Sequence, residues 1–340
     1  MWYSFFMGQT SFLAALCLLL SSVEYAIPKP LPFLRLGLAN LPIIFSLRKL
    51  SVRDVLLLTV LKVVGQAVIS GTLFSYVFLL SASGSFASVC IMLLLSRLCK
   101  NQVSDFGVTV AGSLANNVSQ LFCARILLGE ASVKLIAPLL FTVGCITGIA
   151  LGVFVLLFEN RSVWYANLIV MQISENKIEN QHERKNSTAA LVWFMVTIAI
   201  VLVFLFMRNV YVEWICVAVF FIAASIKRKR IVKLLPSVFV TLTVILLALL
   251  TPSGKVLYPI GTWRITQGSL INGLQRSGIL VGMVFLSQCA ISPDLHLPGK
   301  FGALLQQVLL YASKLKQTKP QFKKQNLFVT LDTWLVSICR

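Results

Sequence analysis

Long apolar segments alternate with short polar connections along most of this chain. Runs of roughly 18 or more apolar residues are typical of transmembrane helices, because each helix must cross a hydrocarbon layer about 30 Å thick. The pattern predicts an all-α, polytopic integral membrane protein with about ten transmembrane helices, six before a polar linker and four after it. The predicted spans are 8–23, 33–47, 54–80, 85–99, 107–128, 135–158, 189–207, 210–226, 234–251 and 277–292.

Polar stretches divide the chain into four parts. We predict a six-helix membrane domain over residues 1–158, a cytoplasmic polar linker over 159–188, a four-helix membrane domain over 189–295 and a basic cytoplasmic tail over 296–340. The first half is rich in glycine and serine, which permit close packing of membrane helices. The second half begins with bulky helices, so the two halves do not resemble the inverted repeats of many secondary transporters.

Composition excludes an ordinary soluble domain. The chain is 58% hydrophobic and 12% charged, whereas about one quarter of the residues in a globular protein are charged. The net charge of +19 comes from short basic clusters at the ends of apolar runs, which is typical of cytoplasmic loops. Counting Lys and Arg over the ten spans therefore predicts a cell (cytoplasmic/inner) membrane protein with both termini in the cytoplasm. The clusters serve as topology signals or contact anionic membrane lipid, and we expect no nucleic-acid partner.

Sequence patterns for catalysis and metal binding are missing. The eight cysteines include no C-x-x-C pair, and both histidines stand alone in polar segments. The four aspartates form no D-D-x-x-D array, which a prenyl diphosphate synthase needs to hold Mg²⁺ against a diphosphate. No P-loop motif occurs, so an ATP-driven step requires another subunit. We therefore expect no enzyme activity, no cofactor and no metal.

The stretch from Glu24 to Leu47 places polar groups within apolar sequence. Glu24 ends the first apolar run, three alternating prolines follow, and Gly37-Leu38-Ala39-Asn40 leads back into apolar residues. The prolines prevent a continuous helix. In a membrane protein such a stretch can form one wall of a polar pocket, and we expect Glu24 and Asn40 to contribute to it.

Lys62 lies inside the third predicted span, within the otherwise uncharged stretch LLLTVLKVVGQAVISG. A lysine at the centre of a bilayer costs about 2.5–3.5 kcal/mol on insertion scales, so it is expected to face a partner or a hydrated cavity. Gln66 lies one helical turn further on and shares its face. Lys62 either binds an anionic group of a substrate or forms a structural pair, for which Glu24 is a candidate.

A second polar group follows in the fifth predicted span. Asn116, Asn117 and Gln120 lie within little more than one helical turn, and Asn116 and Gln120 point in the same direction. Buried amides require hydrogen-bond partners. A ligand or a neighbouring helix can provide them, and the sequence leaves both interpretations open. We predict one pocket between the first, second, third and fifth spans, to which Asn40 also contributes.

These residues carry a resemblance to a known family. Over about residues 10–155 the chain resembles the Gx transporter family, also described as heptaprenyl diphosphate synthase component I. The matching features are Glu24…Pro28-Lys29-Pro30…Pro32, Gly37-Leu38-Ala39-Asn40, Lys62…Gly71, Phe78…Ser81-x-x-Gly84, Ser104…Gly107-Val108…Ala111-Gly112…Asn116-Asn117…Gln120 and Gly144…Gly148. The resemblance implies a small polytopic protein similar to the substrate-binding (S) components of energy-coupling factor transporters.

The second half is similar in part to the transmembrane coupling (T) component of those transporters. The shared residues are Pro252-x-Gly254-Lys255-Val256-Leu257 and Ile265-Thr266…Leu270…Gly273-Leu274. The Ala-Arg-Gly-type motifs through which such components contact ATPases are not evident in this sequence. The resemblance implies ATP-binding subunits of a transporter complex as partners.

Together these features predict a membrane transport protein. We expect it to bind and translocate a small molecule, related to a vitamin, a flavin or an isoprenoid, through a polar pocket in the first six helices. The alternative is a non-catalytic membrane subunit that assists a prenyl diphosphate synthase in quinone biosynthesis.

Overall fold

The structure, a computed structural model, describes most of the chain. The described residues are 2–26, 36–99, 102–167, 187–207, 209–228, 234–260, 263–290, 299–317 and 327–339. Within these ranges nearly all residues are helical, as the sequence predicts for an all-α protein. The prolines that follow Glu24 and most of the predicted linker lie outside the described residues.

Seven helices belong to the first part of the chain. They are α1 (Trp2–Ala26), α2 (Leu41–Ser46), α3 (Val52–Ser70), α4 (Tyr76–Leu98), α5 (Asp105–Leu128), α6 (Glu130–Glu159) and α7 (Val163–Ala166). A 3-10 turn, Leu38–Asn40, leads directly into α2. The helices pack around one buried apolar cluster, to which α1, α2, α3, α4 and α6 contribute.

The second part contains six helices and one hairpin. The elements are α8 (Ser187–Leu205), α9 (Val210–Arg228), α10 (Leu235–Leu249), β1 (Val256–Ile260), β2 (Trp263–Thr266), α11 (Gln267–Ala290), α12 (Gly299–Gln317) and α13 (Leu327–Cys339). The antiparallel hairpin of β1 and β2 lies in the polar segment between α10 and α11. It was not predicted, since the sequence indicates only a polar, glycine-containing connection there.

The break between the third and fourth spans was predicted in the wrong place. The sequence suggests helices over 54–80 and 85–99, but the chain turns between Ser70 and Tyr76. Gly71 ends α3 with a φ of 68°, a left-handed conformation that glycine adopts at little cost. The predicted gap at 81–84 lies inside α4, where Ser81 and Gly84 are buried against other helices.

The second predicted span, 33–47, is not a continuous helix in its described part. The helix α2 has six residues, which at 1.5 Å per residue is about 9 Å long, far less than a bilayer requires. All six of its residues are buried. The segment is therefore a short helix inside the bundle, and residues 33–35 lie outside the described part.

Four described helices are long and apolar enough to cross a membrane. They are Tyr76–Leu98, Ile136–Glu159, Val210–Lys227 and Gln267–Ala290, and three shorter apolar helices accompany them. Large apolar side chains such as Leu98, Phe122 and Ile146 are exposed on the outside of the bundle, where lipid can cover them. These helices support a membrane protein, and the predicted count of ten spans is not confirmed.

The last two helices pack onto the first part of the chain. On α12, Leu305 lies against Gly65 of α3, and Val308 is fully buried in the first apolar cluster. On α13, the carboxylate of Asp332 accepts hydrogen bonds from the backbone N–H groups of Val163 and Trp164 at the start of α7. The described residues of the region that we expected to be a tail thus complete the packing of the first bundle.

A second apolar cluster joins the two halves. It combines Leu80 of α4 and Leu121 of α5 with Val217 of α9, Val244 of α10 and Leu280 of α11. In addition, the N–H of Phe74 donates a hydrogen bond of 3.0 Å to Ser287 Oγ on α11. The contact therefore involves the end of the first bundle at which α3 turns into α4.

The opposite end of the first bundle carries its charged groups. Arg48 forms a 2.8 Å ion pair with Asp105, and the guanidinium of Arg97 donates to the carbonyl of Leu50. The ammonium of Lys49 lies over the ring of Tyr165. Burial raises the pKa of Tyr165, and the neighbouring carboxylate of Glu159 raises it further. These contacts fix the connections from α2 to α3 and from α4 to α5.

Candidate functional site

Lys62 lies in the interior of the first bundle. The hydroxyl of Ser51 accepts a hydrogen bond from Asp54 N and so caps the start of α3, while Gly71 ends the helix. This places Lys62 in the middle of α3 with 2% of its surface exposed. Its ammonium donates hydrogen bonds to Asn40 Oδ1 and, over 3.4 Å, to Ser85 Oγ.

Asn40 reaches Lys62 because of the tight turn that precedes α2. Gly37 has a φ of 84°, and the N–H of Asn40 donates to the carbonyl of Gly37 over 2.8 Å. This turn directs the Asn40 side chain toward α3. The glycine in the Gly37–Asn40 motif is thus required by backbone conformation.

Glu24 helps to hold the same turn. Its Oε1 accepts a 2.8 Å hydrogen bond from the N–H of Leu36, although the two residues are twelve positions apart. Glu24 is buried near the end of α1. The carboxylate therefore anchors the chain where it returns to the bundle, next to Gly37 and Asn40.

The three predicted amides form a hydrogen-bonded chain on α5. Gln120 Nε2 donates to Asn116 Oδ1 over 3.2 Å, Asn116 Nδ2 donates to Asn117 Oδ1 over 3.4 Å, and Asn117 Nδ2 donates to the carbonyl of Leu140 on α6 over 2.8 Å. All three side chains are buried. Gln120 Oε1 has no hydrogen-bond partner among the residues that the structure describes.

Glycines on the adjacent helices make room for these amides. A Cβ built on Gly84 of α4 would lie 2.2 Å from Asn116 Oδ1, and one on Gly144 of α6 would lie 1.8 Å from Asn117 Nδ2. Both distances are far below any real contact of a Cβ atom. The glycines of the sequence motif therefore allow α4 and α6 to approach the amide side chains on α5.

A small cavity connects these groups. Its polar lining comes from four helical segments and consists of Asn40, Ser88, Thr109, Ser113, Asn116, Asn117 and Thr147. The hydroxyl of Ser88 is buried and has no partner among the described residues. The cavity volume of about 20 Å³ has room for about one water molecule. A larger ligand therefore requires the helices to move apart.

The structure places the predicted residues in two connected groups. Lys62 contacts Asn40, and Asn40 lines the same cavity as Asn116 and Asn117. Gln120 joins the cavity through its bond to Asn116, and Glu24 joins it through Leu36. Gln66 is buried one turn from Lys62 but does not line the cavity. Their assignment as substrate-binding residues stays a prediction.

Sequence reasoning missed the contribution of α4. Ser81, Ser85 and Ser88 follow each other at helical spacing with Gly84 between them, and all are buried. This spacing is the signal of one small, polar helix face. It was not recognised because a helix boundary was predicted inside the stretch. The pocket therefore includes α4 and α6, in addition to the predicted spans.

The three described aspartates have structural roles. Asp54 accepts from Ser51, Asp105 pairs with Arg48, and Asp332 caps α7. No group of three or more His, Cys, Asp or Glu side chains within the described ranges is arranged to hold a metal ion.

Comparison with known proteins finds a family match for the first half. Residues 13–158 match the model of heptaprenyl diphosphate synthase component I, and residues 189–292 match a domain of unknown function, DUF8519. No curated protein matches the chain, and no solved structure matches it. The resemblance of the second half to a coupling component is not shown by these matches. The match covers the segment that contains Lys62, Asn40 and the amides of α5, so this part of the chain is similar to heptaprenyl diphosphate synthase component I.

Proposed function

We propose that this chain is a membrane transport protein, without enzyme activity, that binds a small molecule in the polar cavity of its first half and moves it through the bilayer. The observation that carries the proposal is the buried ammonium of Lys62, held by Asn40 at the edge of a cavity lined with amides and hydroxyls. The proposed substrate is related to a vitamin, a flavin or an isoprenoid.

The charge of Lys62 supports an anionic substrate. A buried cation is costly unless a charged or strongly polar partner compensates it. Asn40 and Ser85 offer neutral oxygen atoms, and a phosphate or carboxylate would bind an ammonium more strongly than either. A substrate with an anionic group that displaces Asn40 therefore gains a charge-assisted hydrogen bond.

The unpartnered atoms next to the cavity support a second point of recognition. Gln120 Oε1 can only accept a hydrogen bond, whereas the hydroxyl of Ser88 can donate or accept. Leaving such atoms buried without partners costs about 1–3 kcal/mol each. A substrate that carries a hydrogen-bond donor would remove this cost. The small volume of the cavity implies that α4, α5 and the Gly37 turn separate when the substrate enters.

The family description favours a second candidate function. A protein described as heptaprenyl diphosphate synthase component I is a membrane component associated with prenyl diphosphate synthesis. On this proposal the chain is a non-catalytic subunit whose partner synthase component supplies the metal-binding acids, and the product feeds quinone biosynthesis. The structural roles of the three described aspartates are consistent with a subunit that does not itself hold Mg²⁺.

Uptake into vesicles tests the transport proposal. The purified chain is reconstituted and supplied with a panel of flavins, prenyl phosphates and vitamin-like solutes. We expect saturable accumulation of one of them and a loss of about tenfold or more in Lys62→Leu, because a hydrogen bond to a charged group contributes about 1.5–3 kcal/mol. Lys134→Leu, on the exposed surface of α6, is the matched control and should transport normally.

Normal accumulation by Lys62→Leu would contradict the proposed role of Lys62. Absence of saturable uptake for every solute would contradict transport by the chain alone. Co-purification then separates the two candidates: a coupled transporter should bring down ATP-binding subunits, whereas a synthase subunit should bring down a soluble prenyl-transferring enzyme.

A further inference from the structure

The second half of the chain contains a buried carboxylate without a partner. Glu213 lies in the first turn of α9, has 0% of its surface exposed, and packs against α11. Neither Oε1 nor Oε2 has a hydrogen-bond partner among the described residues. Most buried polar side chains in proteins are hydrogen-bonded, so this carboxylate needs a separate explanation.

The contact with α11 is built around Glu213. A Cβ built on Gly278 would lie 2.1 Å from Glu213 Oε1, so only glycine leaves space for the carboxylate. Beside this contact, the indole N–H of Trp214 donates to the carbonyl of Leu274 over 3.3 Å. The hydroxyl of Ser277 also donates to that carbonyl, over 3.0 Å. These two side-chain donors are therefore engaged with Leu274.

Charged groups on the packed helices contact other parts of the protein. On α11 the guanidinium of Arg276 lies against Gly129 of the first half. On α9 itself, Lys227 donates to the carbonyl of Cys289 at the far end of the helix. The described sequences of α8 and α10 contain no ionisable residue. No described cation thus neutralises Glu213.

Three states of the Glu213 carboxyl group can be compared in this environment: ionised, bound to a metal cation and protonated. An ionised carboxylate that is fully buried without a partner carries a desolvation penalty of several kcal/mol. A metal cation would remove the charge but needs several oxygen ligands, and the site offers only this one carboxylate. A proton neutralises the group and requires no further ligand.

We propose that Glu213 is a proton-binding site, occupied by a proton whenever α9 and α11 are packed together, and that release of this proton requires the two helices to separate. This inference does not depend on the proposed transport function, since the site lies in the second half. Ser225 and Gln288, which also lie on α9 and α11, have buried polar atoms without partners. Separation of the helices would hydrate all three residues at once.

The proposal fixes the sign of a pH effect. The packed state holds one proton that an unfolded or separated chain releases at neutral pH. The packed state therefore becomes less stable as pH rises. The folding equilibrium constant falls by about tenfold per pH unit over the range in which a free carboxyl group is ionised while the buried one is still protonated. A neutral isostere at position 213 removes this dependence.

The experiment measures unfolding of the full-length protein in detergent from about pH 5 to about pH 8, the range in which a buried carboxyl and a free one differ in protonation. We expect Glu213→Gln to be as stable as the wild type at the acidic end and progressively more stable toward the alkaline end. Asp54→Asn, which removes a half-buried acid at the start of α3, is the control and should retain the wild-type pH dependence. Infrared spectroscopy of the wild type should show a protonated carboxylic acid carbonyl band that is missing in Glu213→Gln.

Two outcomes would overturn the proposal. One is a wild type without the acid carbonyl band at neutral pH, which would mean that Glu213 is ionised. The other is a Glu213→Gln variant that keeps the full pH dependence of the wild type. The close packing of Glu213 against Gly278 is tested separately. Gly278→Ala should destabilise the wild-type protein but should have little further effect in Glu213→Ala, because no carboxylate then clashes with the added methyl group.

Discussion

Gly84 of α4 and Asn116 of α5 approach each other so closely that no side chain fits between them. A Cβ on Gly84 would lie 2.2 Å from Asn116 Oδ1 and 3.0 Å from Gln120 Nε2. The contact therefore determines the positions of two amides at once. It also explains physically why a glycine follows Ser81 in the motif of the first half.

Gly84→Ala should displace the amides of α5. Asn116 must rotate away from the added methyl group, which breaks its hydrogen bond with Gln120. We expect a loss of about 1–3 kcal/mol in the free energy of unfolding, as for other overpacked sites, and a loss of substrate binding in the vesicle assay. The stability change is measured by chemical unfolding in detergent.

Gly107→Ala is the matched control for this substitution. A Cβ at Gly107 meets only Val103 Cγ1, at 3.0 Å, and Ser104 Oγ, at 3.8 Å, so it is remote from the amides. We expect it to preserve binding. Equal binding by both variants would show that the amide positions do not matter for recognition.

The pair of Lys62 and Asn40 should behave as a coupled unit. Asn40→Ala removes an acceptor from a buried ammonium, and we expect a cost of about 1.5–3 kcal/mol. Lys62→Met removes the charge itself, and replacing a buried charge by an apolar group of similar volume is often neutral or stabilising. A double-mutant cycle should therefore give a coupling energy of about 1–3 kcal/mol.

Ser70 provides a control pair for the cycle. Its hydroxyl donates to the carbonyl of Gln66, and Ser70 lies eight residues beyond Lys62 at the end of α3. Effects of Ser70→Ala and Lys62→Met should add within about 0.5 kcal/mol. If the effects of Asn40→Ala and Lys62→Met on stability are also additive, the contact between the two residues does not contribute to stability, and the ammonium has its hydrogen bonds elsewhere.

Local features of the site could be predicted because their causes are local. The cost of a lysine in an apolar helix indicates a polar partner for Lys62, and the spacing of Asn116 and Gln120 indicates a shared face. The structure brings Lys62 together with Asn40, which was predicted for the same pocket. The partnership of Glu24 with Leu36 N could not be predicted, since it depends on how the chain returns after the prolines.

Features that depend on tertiary packing were predicted less well. The turn after Ser70 contains no charge and no proline, so the apolar run seemed continuous, although Gly71 and Ser75 are residues that commonly end and begin helices. Similarly, α12 contains glutamines and lysines that lower its hydropathy. Its apolar face becomes evident only in the structure, where Leu305 packs against Gly65 of α3.

Leu305 should be important for the stability of the first bundle. It is 3% exposed and contacts Gly65 at the junction of α12 and α3. We expect Leu305→Ala to cost about 2–5 kcal/mol, as for other buried leucines. Leu310 lies on the same helix but is 47% exposed, so Leu310→Ala should cost less than about 1 kcal/mol. Similar losses for both variants would contradict the packing of α12 against α1 and α3.

Asp332 should hold the last helix against the first bundle. Its carboxylate accepts hydrogen bonds from Ser162 Oγ, Val163 N and Trp164 N, and two of these donors are backbone groups at the start of α7. Asp332→Ala leaves them without this partner, at a cost of about 1–3 kcal/mol. Because the damage is local, amide hydrogen exchange over residues 163–166 should become about tenfold faster or more, whereas exchange in α5 should not change.

Ser337→Ala is the matched control for this effect. Ser337 is exposed on the same helix, and its hydroxyl donates only to the carbonyl of Trp334 within α13. Exchange over residues 163–166 should stay at the wild-type rate in this variant. Unchanged exchange in Asp332→Ala as well would mean that α7 forms without the carboxylate, and α13 would then be attached to the bundle by its apolar residues, such as Leu335, alone.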